Sequence, residues 1–292
     1  MKIISFAISF GLFCFIPEHG YTQNEVSPLP IQSPAPNKQI VSKTPHSQVM
    51  AKGSSKKVSP IINKASLEMN EEGSKAMQAK DFAKAEELFK KALDIDPKNI
   101  TASFNLAGAY LMNKKNQEAI QLLNHYILEY PNDPGLYSRL GEAYFASKDL
   151  PNAEKNFKKA LEIYPQYPGT PVKLATIYSL QQKFNEAEAM FLIAIEQEPR
   201  NGDLLANLAG IFLANGKAQE AINTAKRALQ VKPSSEIYLT MGLAYERLKD
   251  RNNAIISFQR AFDLGDTRSG LKEKIEALKA KAAPHPTASP AP

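Results

Sequence analysis

From residue 66 to residue 282 the apolar positions recur at the spacing of helices rather than strands. Over 134–146, Tyr137, Leu140, Gly141 and Tyr144 share one helical face. Beyond a short polar turn, Ala153, Phe157 and Ala160 follow at i, i+4 and i+7 and share a face of a second helix. Asp81, Asp149 and Asp250 stand at such turns and predict N-caps for the second helix of each pair. Pro151 fits there too, because a first-turn residue has no intrahelical N–H bond to lose. The small residues Gly141 and Ala153 predict a close approach of the paired helices, toward the lower end of about 8–10 Å. Each hairpin carries an apolar face that it cannot bury alone, so successive hairpins must stack. The pattern predicts an all-α chain.

The hairpin recurs with a period of 34 residues. Leu140, Tyr144, Ala153, Phe157, Ala160 and Pro165 realign on Leu174, Tyr178, Ala187, Phe191, Ala194 and Pro199. Upstream the frame meets Leu106, Tyr110, Ala119 and Pro131, and downstream Leu208, Phe212, Ala221 and Pro233. Six units result, starting near 66, 100, 134, 168, 202 and 235. The edges are irregular: Ala76 replaces the aromatic in the first unit and Asp266 the closing proline in the last. A small residue eight positions in, an aromatic at eleven, alanine at twenty and a terminal proline resemble the tetratricopeptide repeat over residues 66–267. That resemblance implies an α-solenoid, a right-handed superhelix of hairpins whose first helices line a groove for extended peptides or partner proteins. Residues 268–282, with Leu271, Ile275 and Leu278 on one side, are expected to form a capping helix.

In such a groove the sixth position of each unit forms a column: Glu71, Asn105, Arg139, Lys173, Asn207 and Thr240. It lies on a stripe separate from the packing face, so these side chains are expected at the surface. Asn105 and Asn207 offer both a donor and an acceptor to a ligand's peptide bonds, with Gly108 and Gly210 leaving room beside them. Arg139 and Lys173 add positive charge suited to a carboxylate. As surface groups, both should be removable at a cost within about 0.5 kcal/mol. The co-chaperone form of the family grips a terminal carboxylate with five residues. Its frame falls here on Asn70, Ser74, Asn105, Gly135 and Arg139, of which only Asn105 and Arg139 match. A chaperone-tail clamp is not expected.

Composition narrows the chemistry. The 292 residues are 43% hydrophobic and 23% charged, as in soluble globular proteins. Cys14 is the only cysteine, which excludes an intramolecular disulfide, a CxxC pair and a cysteine zinc site. Of four histidines only His125 falls within the repeats, leaving no metal site and no general-base constellation. The stretch Gly210–Lys217 departs from a phosphate-binding loop in glycine spacing and in Ala218, and it joins helix to helix. No cofactor and no enzyme activity are expected. The net charge of +6 is concentrated in residues 23–65, which hold six lysines against Glu25 alone; residues 66–292 carry 29 basic and 28 acidic groups. Without a basic face on the folded part, nucleic acid is not an expected partner. Asn99-Ile100-Thr101 matches the acceptor pattern for N-glycosylation.

The N-terminus reads as an address. Lys2 precedes an apolar run from Ile3 to Ile16, then Pro17, Gly20 and Thr22, which is the layout of a secretory signal peptide over 1–22. The run is too short to span a bilayer, and Phe13 and Gly11 argue against lipidation at Cys14. Residues 23–65, with six prolines and no aromatic, are expected to form a disordered linker, and 283–292 a similar tail. The chain is thus expected in the periplasm or outside the cell, as a non-enzymatic interaction scaffold assisting an envelope or surface assembly. The alternative is a regulatory or substrate-presenting subunit of an enzyme complex.

Overall fold

Helices alone, with no strand among the described residues, make up the computed structural model, which describes residues 63–280. The expected signal peptide, most of the linker and the tail lie outside the described residues. Hairpins form from α1 (Lys64–Gln78) with α2 (Phe82–Ile95), α3 (Ile100–Met112) with α4 (Asn116–Glu129), and α5 (Pro134–Ala146) with α6 (Leu150–Ile163). They continue with α7 (Thr170–Leu180) and α8 (Phe184–Gln197), α9 (Gly202–Ala214) and α10 (Ala218–Val231), and α11 (Ser235–Arg247) and α12 (Arg251–Asp263). A last helix, α13 (Leu271–Ala280), follows alone. The fold is all-α, of the α-solenoid class. Two compact units divide it within α7, residues 63–174 and 175–280. α7 starts at Thr170 because Pro168 and Gly169 precede it, Gly169 with the left-handed φ of 72°.

The turns inside the hairpins share one geometry. The residue closing each first helix is left-handed: Lys80, Lys114, Lys148, Gln182 and Lys249 have φ between 58° and 63°, and Gly216 has 83°. Lysine accepts this conformation at a cost of about 1–2 kcal/mol, and its charge partly offsets that beside the carbonyl end of a helix. Two backbone bonds fix the turn, as where Lys80 N donates to Met77 O and Asp81 N to Ala76 O. Asp81, Asp149 and Asp250 then cap the second helix, each accepting a backbone N–H at 3.1 Å.

At two of the positions where this cap is lysine, Lys115 and Lys217, the side chain reaches the preceding hairpin instead. In residues 63–174, Lys115 and Asn113 both donate to Glu86 on α2. In residues 175–280, Lys217 and Asn215 do the same to Glu188 on α8. Burial alone would push the Glu86 carboxyl up, but hydrogen bonds from Lys90, Lys115 and Asn113 reverse this and hold it at about 2. A carboxyl depressed on folding stabilises above its unfolded value near 4.5, and that contribution is lost as pH falls toward 2. Glu86→Gln should therefore cost about 1–3 kcal/mol at pH 7 and progressively less at pH 4.5 and pH 3. Urea unfolding at the three pH values checks this; a difference from wild type that stays constant with pH would refute it.

Phenylalanines under glycines build the cores. A Cβ on Gly73, Gly141 or Gly242 would lie 2.5–2.6 Å from the ring of Phe89, Phe157 or Phe258, so each glycine lets the partner helix lay its ring against backbone. All three rings are essentially inaccessible to solvent. α13 buries Leu271 and Ile275 against α12, with Leu278 packing at the margin. Asp266, in the closing proline's place, is buried and takes a fork of bonds from Arg268.

Candidate functional site

The first helices α1, α3 and α5 place their sixth residues side by side, and packing between them makes the position less exposed than its helical stripe suggests. Asn105 is 7% exposed and Arg139 has a side chain 12% exposed. The expected surface column is corrected here: neighbouring first helices pack closely enough to cover the stripe's base. Thr240 on α11 is buried as well, whereas Glu71 on α1 is solvated and pairs with Lys75.

Asn105 donates through Nδ2 to Asn70 Oδ1 at 2.9 Å, tying α3 to α1. The pair retains Asn105 Oδ1 as an acceptor and the Asn70 amide as a donor, the complement of one peptide unit.

Arg139 and Lys173 come together through a residue that the column did not include. Glu142, one turn along α5, accepts from Arg139 Nη1 at 2.5 Å through Oε2 and from Lys173 Nζ through Oε1. Its side chain is 16% exposed and that of Lys173 35%. Burial raises the Glu142 carboxyl, but the two cations outweigh it and hold it below the usual carboxylate range. The Arg139 guanidinium also stacks 4.1 Å from the centre of the Phe104 ring. Gly108 lies beside it, where a Cβ would stand 3.6–3.8 Å from the guanidinium, in ordinary contact. Tyr167 lies within the same field. Burial pushes its phenol up to about 12, Asp133 and Glu142 add to the rise, and Arg139 opposes it. The expectation that Arg139 and Lys173 stand open to a ligand carboxylate is therefore corrected: an internal carboxylate already holds both.

Asn207 belongs to the other unit, on α9. Its Oδ1 is buried with no hydrogen-bond partner among the described residues, and a Cβ on Gly210 would meet nothing within 4 Å. Of the four candidate residues, then, Arg139 and Lys173 converge, Asn105 pairs with Asn70, and Asn207 sits in residues 175–280. Sequence reasoning missed Glu142, although its i, i+3 spacing from Arg139 was a usable signal.

His125 lies exposed on α4 beside Glu129. Asn99 is buried as the N-cap of α3, its Oδ1 accepting Ala102 N and its Nδ2 donating to Ser66, so folding closes that amide to a glycan. Among the described residues no cluster of three or more His, Cys, Asp or Glu is placed to hold a metal ion, and no helix is long and apolar enough to cross a membrane.

Stacked hairpins whose first helices bring polar side chains together define a helical-repeat binding module. Profiles of the tetratricopeptide repeat match residues 76–143, 135–167, 172–236 and 235–264, and the chain belongs to that family, whose members are scaffolds that bind peptides and proteins. Heat shock protein STI1 of Saccharomyces cerevisiae is 38% identical over 98 residues, covering 33% of this chain and 16% of that protein. Small glutamine-rich tetratricopeptide repeat-containing protein 2 of Mycosarcoma maydis is 31% identical over 96 residues, covering 33% of this chain and 27% of its own length. This chain thus spans less than a third of either relative. Among solved structures, the type IV pilus biogenesis factor PilW superposes with a TM-score of 0.60 at 19% identity, over 73% of this chain and 99% of PilW. YrrB, a tetratricopeptide-repeat protein with an unusual peptide-binding site, gives 0.58 at 17% identity, over 67% and 98%. At these identities the likeness is one of fold.

Proposed function

We propose that this chain is an exported, non-enzymatic scaffold that binds an extended segment of a partner protein along the first helices of its hairpins. The observation that carries the reading is the Asn70–Asn105 amide pair, which offers one acceptor and one donor set to a peptide backbone without reading its side chains. Export rests on Lys2, the apolar run Ile3–Ile16 and the small residues Gly20 and Thr22. A role in an envelope or surface assembly is in keeping with the fold shared with a pilus biogenesis factor. Co-chaperone relatives raise the question of a chaperone-tail ligand. Gly135 stands where that clamp needs lysine, and Arg139 is engaged by Glu142, which argues for a different ligand.

Two measurements test this. Intact-mass analysis of the protein from its native host should give a chain beginning after about Thr22 in the exported fraction; a full-length cytosolic chain would refute export. An array of short peptides drawn from exported proteins should yield binders, for which Asn70→Ala with Asn105→Ala weakens affinity about tenfold. Two neutral hydrogen bonds at about 0.5–1.5 kcal/mol each account for that, at about 1.4 kcal/mol per decade. Binders indifferent to the double change in a variant of wild-type helicity would show that the amide pair is not the contact.

A further inference from the structure

Arg139 and Lys173 carry eight N–H donors between them, five and three, and meet at a single carboxylate. Glu142 takes one hydrogen bond from each cation, and Arg139 Nε is buried with no acceptor among the described residues. The cluster is over-supplied with donors, and its three side chains sum to one positive charge. Phe104 walls one face of the guanidinium and Gly108 leaves space beside it, while the half-buried Lys173 opens the cluster toward solvent. The ninth position that supplies this carboxylate is Ser74, Gly108, Thr176, Gly210 or Leu243 in the other units, so the acid is peculiar to α5.

We propose that Arg139 and Lys173 form a carboxylate-binding site that Glu142 occupies from within, so that Glu142 decides whether this part of the groove admits an acidic ligand. The ligand class is a side-chain or C-terminal carboxylate. Glu142 competes from one helical turn away, at an effective concentration that a ligand in dilute solution does not reach. An external acid must also strip its own hydration and leave Glu142 unpaired, so the intact groove turns acidic segments away. Truncating Glu142 to alanine removes one methylene and a carboxylate, the atoms of an acetate ion, and leaves both cations facing the space.

Acetate is therefore the probe, and because it is not a peptide the test is separate from the peptide-binding reading. Thermal unfolding of full-length Glu142→Ala should show a midpoint that rises saturably with sodium acetate. Sodium chloride at equal ionic strength and the neutral isostere acetamide should not raise it. The wild type should give the same midpoint in acetate and chloride, and adding Arg139→Gln to Glu142→Ala should abolish the acetate response. Acetate acting no better than chloride on Glu142→Ala overturns the proposal, as does a wild-type response equal to the variant's. If Glu142→Ala fails to fold in chloride, refolding from urea into acetate should recover its helical signal. Failure there, with Glu142→Gln folded in the same buffer, overturns the proposal equally.

Discussion

Replacing Arg139 and Lys173 together by alanine should cost about 3–5 kcal/mol of folding stability, far more than two surface cations would. The reason is the carboxylate left behind. Glu142 is largely buried and kept ionised by these two neighbours, so their removal strands a charge in a poorly solvated site or forces it to take up a proton. Loss of the guanidinium also uncovers the Phe104 ring on which it lies. Adding Glu142→Met to the double variant should recover most of the loss, because an apolar replacement of a whole ion cluster is often close to neutral. Urea unfolding of the wild type, double and triple variants decides the matter. A double variant within about 0.5 kcal/mol of wild type would show that both cations are ordinary surface groups.

The contrast between that expectation and the surface column shows where the sequence ran out. Helix pairing was legible because it depends on local spacing: Tyr137, Leu140 and Gly141 mark a packed face whatever lies opposite, and Asp149 marks a cap through its own backbone. Position six was not legible in the same way. Its exposure depends on how closely α3 approaches α1 and α5, a property of residues about 34 apart that no single helix encodes. Asn105 and Arg139 therefore read as open groove residues, yet packing largely buries them, and neighbouring side chains take one donor group of each, Asn105 Nδ2 and Arg139 Nη1. The left-handed turns were hidden for another reason. Glycine at Gly216 advertises such a conformation, but lysine at Lys80, Lys114 and Lys148 does not, and there the backbone bonds that close the helix hold it.

Phe157→Ala should destabilise the chain by about 3–5 kcal/mol, as expected for emptying a fully buried aromatic site. Its partner Gly141 makes the prediction sharper, because the two residues are expected to couple with a change of sign. In the wild-type background Gly141→Ala improves intrinsic helix propensity by about 1 kcal/mol. It also drives a methyl to 2.6 Å from the Phe157 ring, which is enclosed and has little room to retreat. Overpacking should win, for a net loss of about 1–3 kcal/mol. Once Phe157 is alanine, the same methyl enters the cavity and only the propensity gain and some restored contact remain, so Gly141→Ala should then stabilise. The coupling energy of the cycle should reach at least about 2 kcal/mol, within the range for residues in direct contact. Denaturant unfolding of the four proteins measures it, and an equal cost of Gly141→Ala in both backgrounds would mean that the ring does not lie against this glycine.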